Sequence, residues 1–146
     1  MHFILKKKSK MKRDIMYSIS IDVENFSKIM PKHFKSLRIV KRIQNEIFVD
    51  EKIYFLNVKV KHIIIHPDIH EVHILSGMMK DTSFIEHYEK TSEGTNVTID
   101  VSIRLNGISR ILSPLKFLFK IQMSKVMNEF IRSVEKFTVD SNKEEN

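Results

Sequence analysis

Residues 96–105 read NVTIDVSIRL, with Val97, Ile99, Val101, Ile103 and Leu105 alternating against Thr98, Asp100, Ser102 and Arg104. Strict alternation of this kind marks a strand with one buried face, because successive side chains point to opposite sides of a sheet. The pattern recurs in VKVKHIIIHP, where Val58, Val60, His62 and Ile64 share one face and Lys59 and Lys61 the other. SLRIVKRI, EIFVDEKIYFL, HEVHILS and TSFIEHYEK supply further strand segments. Turn residues (Pro67, Gly77, Gly94, Gly107) fall among these runs at short intervals. Parallel neighbours need long crossovers, so strands this closely spaced pair antiparallel as a meander.

One long helix completes the pattern. After Ser113-Pro114, a good N-cap and first-turn pair, the apolar residues are Leu115, Leu118, Phe119, Met123, Val126, Met127, Phe130, Ile131 and Val134. Their three-and-four spacing draws one helical stripe. Lys116, Lys120, Lys125, Arg132 and Lys136 lie mainly off it, so the helix reads as a core-packing face with a solvated back rather than as a membrane helix. The segment DIMYSISIDVENF is two-sided. Its β-branched content favours a strand. Ile15, Ile19 and Val23 fall four apart, with Met16 and Phe26 on the same side, which favours a helix.

The chain has 146 residues, of which 42% are hydrophobic, enough for one domain with a true core. That domain is expected over residues 1–138, with VDSNKEEN as a polar, disordered tail from 139 to 146. No cysteine is present, which excludes disulfides, thiolate catalysis and cysteine-ligated zinc, and suits a cytoplasmic setting. The net charge of +7 and pI near 9.6 attract anionic partners. Lys6, Lys7, Lys8, Lys10, Lys12 and Arg13 form the densest basic run, a candidate contact for RNA or membrane. No aromatic is interleaved to stack on bases, and a charged edge strand that resists aggregation is the competing reading. HFIL followed at once by lysines is the wrong order for a signal peptide.

The order of these elements resembles a known superfamily. The residues carrying the resemblance are RDIMYSISIDVENFSKIMPKHFKSLRI, GTNVTIDVSI and SPLKFLFKIQMSKVMNEFIRSVEKF. Together they resemble the START-like superfamily, also called SRPBCC. It includes polyketide cyclase/dehydrase-like, coenzyme-Q-binding and allergen-like proteins with the helix-grip fold. In that family a helix pair places an aromatic, here Phe26, ahead of a Trp/Met-Pro step, here Met30-Pro31. The resemblance makes DIMYSISI a helix. It implies an α+β architecture in which six to seven antiparallel strands curve around the C-terminal helix. It also implies a cavity between them for a lipid, quinone or polyketide-like molecule. Most members carry ligands and a minority catalyse cyclisation or dehydration. The lining implied here is Phe26, Met30, Val60, Ile64, Val72, Ile99, Val101, Phe119, Met123 and Met127, with His62, His66 and His70 as its polar end. No cofactor is required.

The histidines of KHIIIHPDIHEVHI are the chemistry-bearing residues. If Val60 and Ile64 face inward, His62 and His66 do too. A turn centred on Asp68 sets His66 opposite His70, and a turn near Met78-Met79 sets His70 opposite His87. His66, His70 and His87 then adjoin on three strands, a possible open zinc site, with Glu71 and Glu86 facing away. A one-residue slip reverses these faces. The alternatives are a hydrogen-bonded polar patch, in which crowding and burial lower at least one imidazole pKa, or surface histidines. Enzymatic use of His62, His66, His70 and His87, as a cyclase-like or metal-dependent site, stands beside the binding reading, as does a basic interaction module. Tyr54 and Tyr88 are read as packing aromatics, and Asp100 with Arg104 as a surface pair.

Overall fold

A computed structural model describes residues 1–53, 55–107, 111 and 116–144. Strand β1 (His2–Ser9) leads into α1 (Arg13–Ser20), a 3-10 turn (Val23–Asn25) and the short α2 (Phe26–Ile29). Six strands follow: β2 (Phe34–Ile43), β3 (Glu46–Ile53), β4 (Leu56–Ile65), β5 (Ile69–Ile74), β6 (Ser83–Thr91) and β7 (Gly94–Ser102). The last element is α3 (Lys116–Glu144). The expected Ser113-Pro114 cap and Tyr54 lie outside the described residues. α3 runs to Glu144, into the segment read above as a polar tail.

All strands form one antiparallel sheet in the order β1-β7-β6-β5-β4-β3-β2. Register shifts between β2 and β3, after Phe34 and after Ile39, let the sheet bend. Alternation is clearest in β7, where Thr95, Val97, Ile99 and Val101 are buried and the residues between them are not. β3 does the same with Ile47, Val49 and Glu51. The concave face carries two apolar clusters. One gathers Leu5, Tyr88, Val97, Ile99 and Val101 under α1 and the Met127–Val134 stretch of α3. The other gathers Ile47, Val49, Val58, Val60 and Ile74 under Val23 and Phe26. Phe34, Ile64, Met79 and Phe84 touch both.

DIMYSISI is helical, against its β propensity, because the segment spans β6 and β7 and buries Met16, Tyr17 and Ser20 on them. Of the side that the spacing suggests, Met16, Val23 and Phe26 are buried and Ile19 packs against the core. Ile15 is exposed and the contact face is rotated towards Tyr17. In α3 the buried positions are Met127, Phe130, Ile131 and Val134. Phe119 and Met123 are half-buried, while Phe117, Leu118 and Ile121 are exposed. Asp100 and Arg104 do not pair with each other: His2 takes Asp100 at 2.6 Å, and Arg104 lies 4.0 Å from Asp81.

Candidate ligand site

The turn His66-Pro67-Asp68, with a cis peptide at Pro67, sets Ile65 opposite Ile69. His66 therefore stands outside the ladder. It is exposed, edge-on to Tyr17 at 5.7 Å, and is not opposite His70. Ile64 takes that place. Between β5 and β6 the register is shifted by one residue from the expected one: His70 faces Glu86, and His87 faces Ile69. One residue is enough to reverse both side chains. Glu86 turns onto the concave face, and His87 turns out to pair with Asp68 at 3.2 Å. The His66–His70–His87 cluster is thus not formed, and no group of three possible metal ligands occurs among the described residues.

A different constellation occupies the concave face. Glu51 Oε1 meets His62 Nε2 at 2.9 Å, His62 Nδ1 meets His70 Nε2 at 3.0 Å, and His70 Nδ1 meets Glu86 Oε2 at 3.1 Å. The Tyr88 hydroxyl donates to the same Glu86 oxygen at 2.8 Å. The row crosses four strands, β3, β4, β5 and β6, in order. The two imidazoles are close to parallel, 15° apart, with centroids separated by 5.2 Å. They are diagonal neighbours, since His62 is opposite Val72. Glu51 reaches His62 along the concave surface, although its own partner across the ladder is Val58.

Burial is nearly complete. Glu51, His62, His70 and Tyr88 are each no more than 4% exposed, while the Glu86 side chain keeps 13%. Phe26 packs edge-on to His62 at 5.8 Å and Tyr17 to Tyr88 at 5.7 Å. No buried side-chain nitrogen or oxygen among the described residues lacks a partner. Such a row can persist only if every member is satisfied. Burial pushes His62 below its ordinary pKa, and His70 beside it pushes the same way, against the Glu51 hydrogen bond. Burial likewise pushes the Tyr88 phenol well above its ordinary range, with Glu86 adding to it, so Tyr88 remains a donor.

His62 sets an acid limit. Its ring charges near the ordinary value of 6.5 in the unfolded chain but only at a lower pH in the fold. Below that value the unfolded chain binds the extra proton, and stability is lost as pH falls from 6.5 through the depressed value. Urea denaturation at pH 7.5 and 5.5 will show lower stability at 5.5. The loss will be smaller in His62→Phe, and at most about 1.4 kcal/mol per pH unit. Stability that rises on acidification in wild type, or an equal loss in the variant, would remove His62 as the cause.

No family model matches the sequence, and no curated relative is found. Solved structures do match. A protein from Thermus thermophilus aligns over 97% of this chain and 99% of its own, with TM-score 0.75 and 14% identity. The Zhui aromatase/cyclase from Streptomyces covers 93% of this chain and 94% of its own, at TM-score 0.74 and 12% identity. A START superfamily protein from Mycobacterium smegmatis covers 93% and 98%, at TM-score 0.67 and 13% identity. The chain has the START-like helix-grip fold. At these identities the likeness transfers architecture and no side chain, so the Glu51–His62–His70–Glu86 row must be read on its own chemistry.

The remaining lining residues of the START-like reading divide by depth. Phe26, Met30, Val60, Ile99, Val101 and Met127 are buried in the two clusters. Ile64, Val72, Phe119 and Met123 are half-buried at their margins. Glu51 was not singled out by the sequence reading, although a charged residue in the Ile47–Val49 parity of EIFVDEKI is its signal. The basic run is not one face either. Lys7 donates to Ser124 on α3 at 2.6 Å and Arg13 turns to Asp14 at 2.7 Å. Lys6, Lys7 and Lys8 line an open groove of about 410 Å³ with Asn128, Ile131, Arg132 and Glu135. No helix among the described residues is long and apolar enough to cross a membrane.

Proposed function

We propose that the protein binds a small hydrophobic molecule between the concave sheet and α3, with the Glu51–His62–His70–Glu86 row as the polar end of the site. The observation that carries this reading is the half-burial of inward-facing apolar side chains beside the row. Ile64 stands opposite His70, Val72 opposite His62, and Phe84 opposite Val72. Strand parity turns all three inward, yet each keeps accessible surface, as do Phe119 and Met123 on α3. Apolar walls with a few convergent polar groups are the usual make-up of a small-molecule site. The Met side chains suit an irregular occupant. The fold agrees: similar structures include an aromatase/cyclase and a norcoclaurine synthase.

The test is saturable binding of a lipophile panel followed by fluorescence and native mass spectrometry. Binding of one molecule per chain is expected, weakened about tenfold or more by Met123→Trp, since tenfold is about 1.4 kcal/mol. No saturable binding across the panel would sink the reading. A second reading, contact with an anionic surface, is favoured by the groove of Lys6, Lys8 and Arg132. It requires affinity for RNA or anionic vesicles that falls steeply with salt.

A further inference from the structure

Each contact in the row holds one proton. With none, two lone pairs face each other, and with two, two donors do. The three contacts therefore hold three protons. Two arrangements do this without charging either ring. In one, the protons sit on Glu51, His62 Nδ1 and His70 Nδ1, and Glu86 is the carboxylate. In the other they sit on His62 Nε2, His70 Nε2 and Glu86, and Glu51 is the carboxylate. Moving every proton across its own contact converts one into the other. Both imidazoles then switch tautomer, and one negative charge crosses the sheet from β6 to β3. The burial that opposes charging His62 favours this coupled shift over a route through an imidazolium.

The two ends differ in access. Glu51 is sealed, with a side chain 2% exposed, whereas Glu86 keeps 13% and lies beside half-buried Phe84. Tyr88 and His70 both hold Oε2 of Glu86, which leaves Oε1 as the oxygen outside the row. We propose that the row is a proton relay in which Glu86 exchanges a proton with a lipophilic weak acid and Glu51 is the inner store. This rests on the binding reading above, because the acid must lie against the concave face.

The step balances without a further reactant. The bound molecule's C–H or O–H bond breaks and its electron pair stays behind. The proton goes to Oε1 of Glu86. Starting from the arrangement in which Glu51 is the carboxylate, the Oε2 proton of Glu86 passes to His70 Nδ1, the His70 Nε2 proton to His62 Nδ1, and the His62 Nε2 proton to Glu51. The carboxyl beside the new anion is then neutral and donates to it, while the charge that was consumed lies at the far end of the row. Glu86 is the catalytic residue in this scheme, and His70, His62 and Glu51 act through it.

The probe is 5-nitrobenzisoxazole, an apolar carbon acid. Removal of its ring proton breaks the N–O bond, forms a nitrile and leaves the electron pair on a coloured phenolate. Saturable turnover is expected, reduced about 100-fold in Glu86→Gln, the scale of one general base. Glu51→Gln should lower it about tenfold. Histidine side-chain ¹⁵N spectra of the unmutated protein give a readout that does not depend on any variant folding. Coupling between His62 Nδ1 and His70 Nε2 is expected, with both rings averaged between tautomers. In Glu51→Gln each ring should settle into a single tautomer. If anilinonaphthalene sulfonate binds saturably but the probe is not turned over faster than by free acetate, the relay is overturned and the binding reading stands. If neither molecule binds, both readings fall. Fixed tautomers in the unmutated protein would overturn the relay alone.

Discussion

Replacing His62 by leucine will destabilise the protein by about 3–5 kcal/mol, because it leaves two buried polar groups without a partner at roughly 1–3 kcal/mol each. His62 is the only bridge between Glu51 and His70 in the row. Without it the Glu51 carboxyl keeps its burial and loses the partner that satisfied it, and His70 Nε2 faces a methyl group. A fold of this size is stable by about 5–15 kcal/mol, so the variant will approach its unfolding threshold. The effect will not add to that of Glu51→Leu. In the double variant both the charge and its partner are gone, and part of the loss returns. His66→Leu, on the exposed turn, will stay within about 0.5 kcal/mol of wild type. Urea titrations of the four variants and wild type decide the matter. A His62→Leu protein within about 1 kcal/mol of wild type would show that the row is not held as described.

Gly94→Ala is the second large effect, expected to cost roughly 2–4 kcal/mol. Gly94 opens β7 with φ of +142°, a conformation that side chains rarely adopt. A Cβ there would lie 2.1 Å from the Ser9 carbonyl oxygen and 2.8 Å from Lys10 backbone atoms. These are main-chain atoms at the end of β1, so nothing flexible can move aside. Relief would require β1 to separate from β7, where Ser9 pairs with Thr95. Gly107→Ala is the comparison: φ is +67° there, but a Cβ meets nothing within 4 Å. It should cost clearly less. Equal losses at the two positions would mean that backbone strain, and not the close approach of β1, sets the cost.

The sheet was legible because alternation is a local signal. VKVKHIIIHP and NVTIDVSIRL each carry their own parity, and the structure keeps both. The faces of His62 and His70 follow from it. What alternation does not carry is the register between neighbours, which depends on turn geometry. The β5–β6 connection uses left-handed backbone at Gly77 and Asp81, and only Gly77 announces that in sequence. One residue of difference there moved His87 out and Glu86 in, and turned an apparent metal cluster into a hydrogen-bonded row. Glu51 was missed for another reason. Its partner is eleven residues away on the next strand, and a carboxylate in an apolar parity reads as a strand end until the partner is seen. For α1 the helical period was right and its face nearly so: Met16, Ile19, Val23 and Phe26 pack inward as expected, while Ile15 is exposed and Tyr17 is buried instead. The face that packs is chosen by β6 and β7, not by the hydrophobic residues of α1 alone.

Among the described residues, every strand pairing but one joins neighbours in sequence. The exception is β1 with β7, where the Met1 ammonium donates to the Ile103 carbonyl across 102 residues. A hairpin needs only a few residues to close. Bringing β1 to β7 costs about 2.5–3 kcal/mol more in chain entropy if nothing is yet formed, since that cost grows with the logarithm of loop length. The cost falls once the meander has brought β7 into place, so assembly is directional: the hairpins form early and β1 is added to a finished edge. β1 also carries Lys7, which donates to Ser124 on α3. The first strand of the chain is thus the last to dock, and the seating of the long helix waits on it.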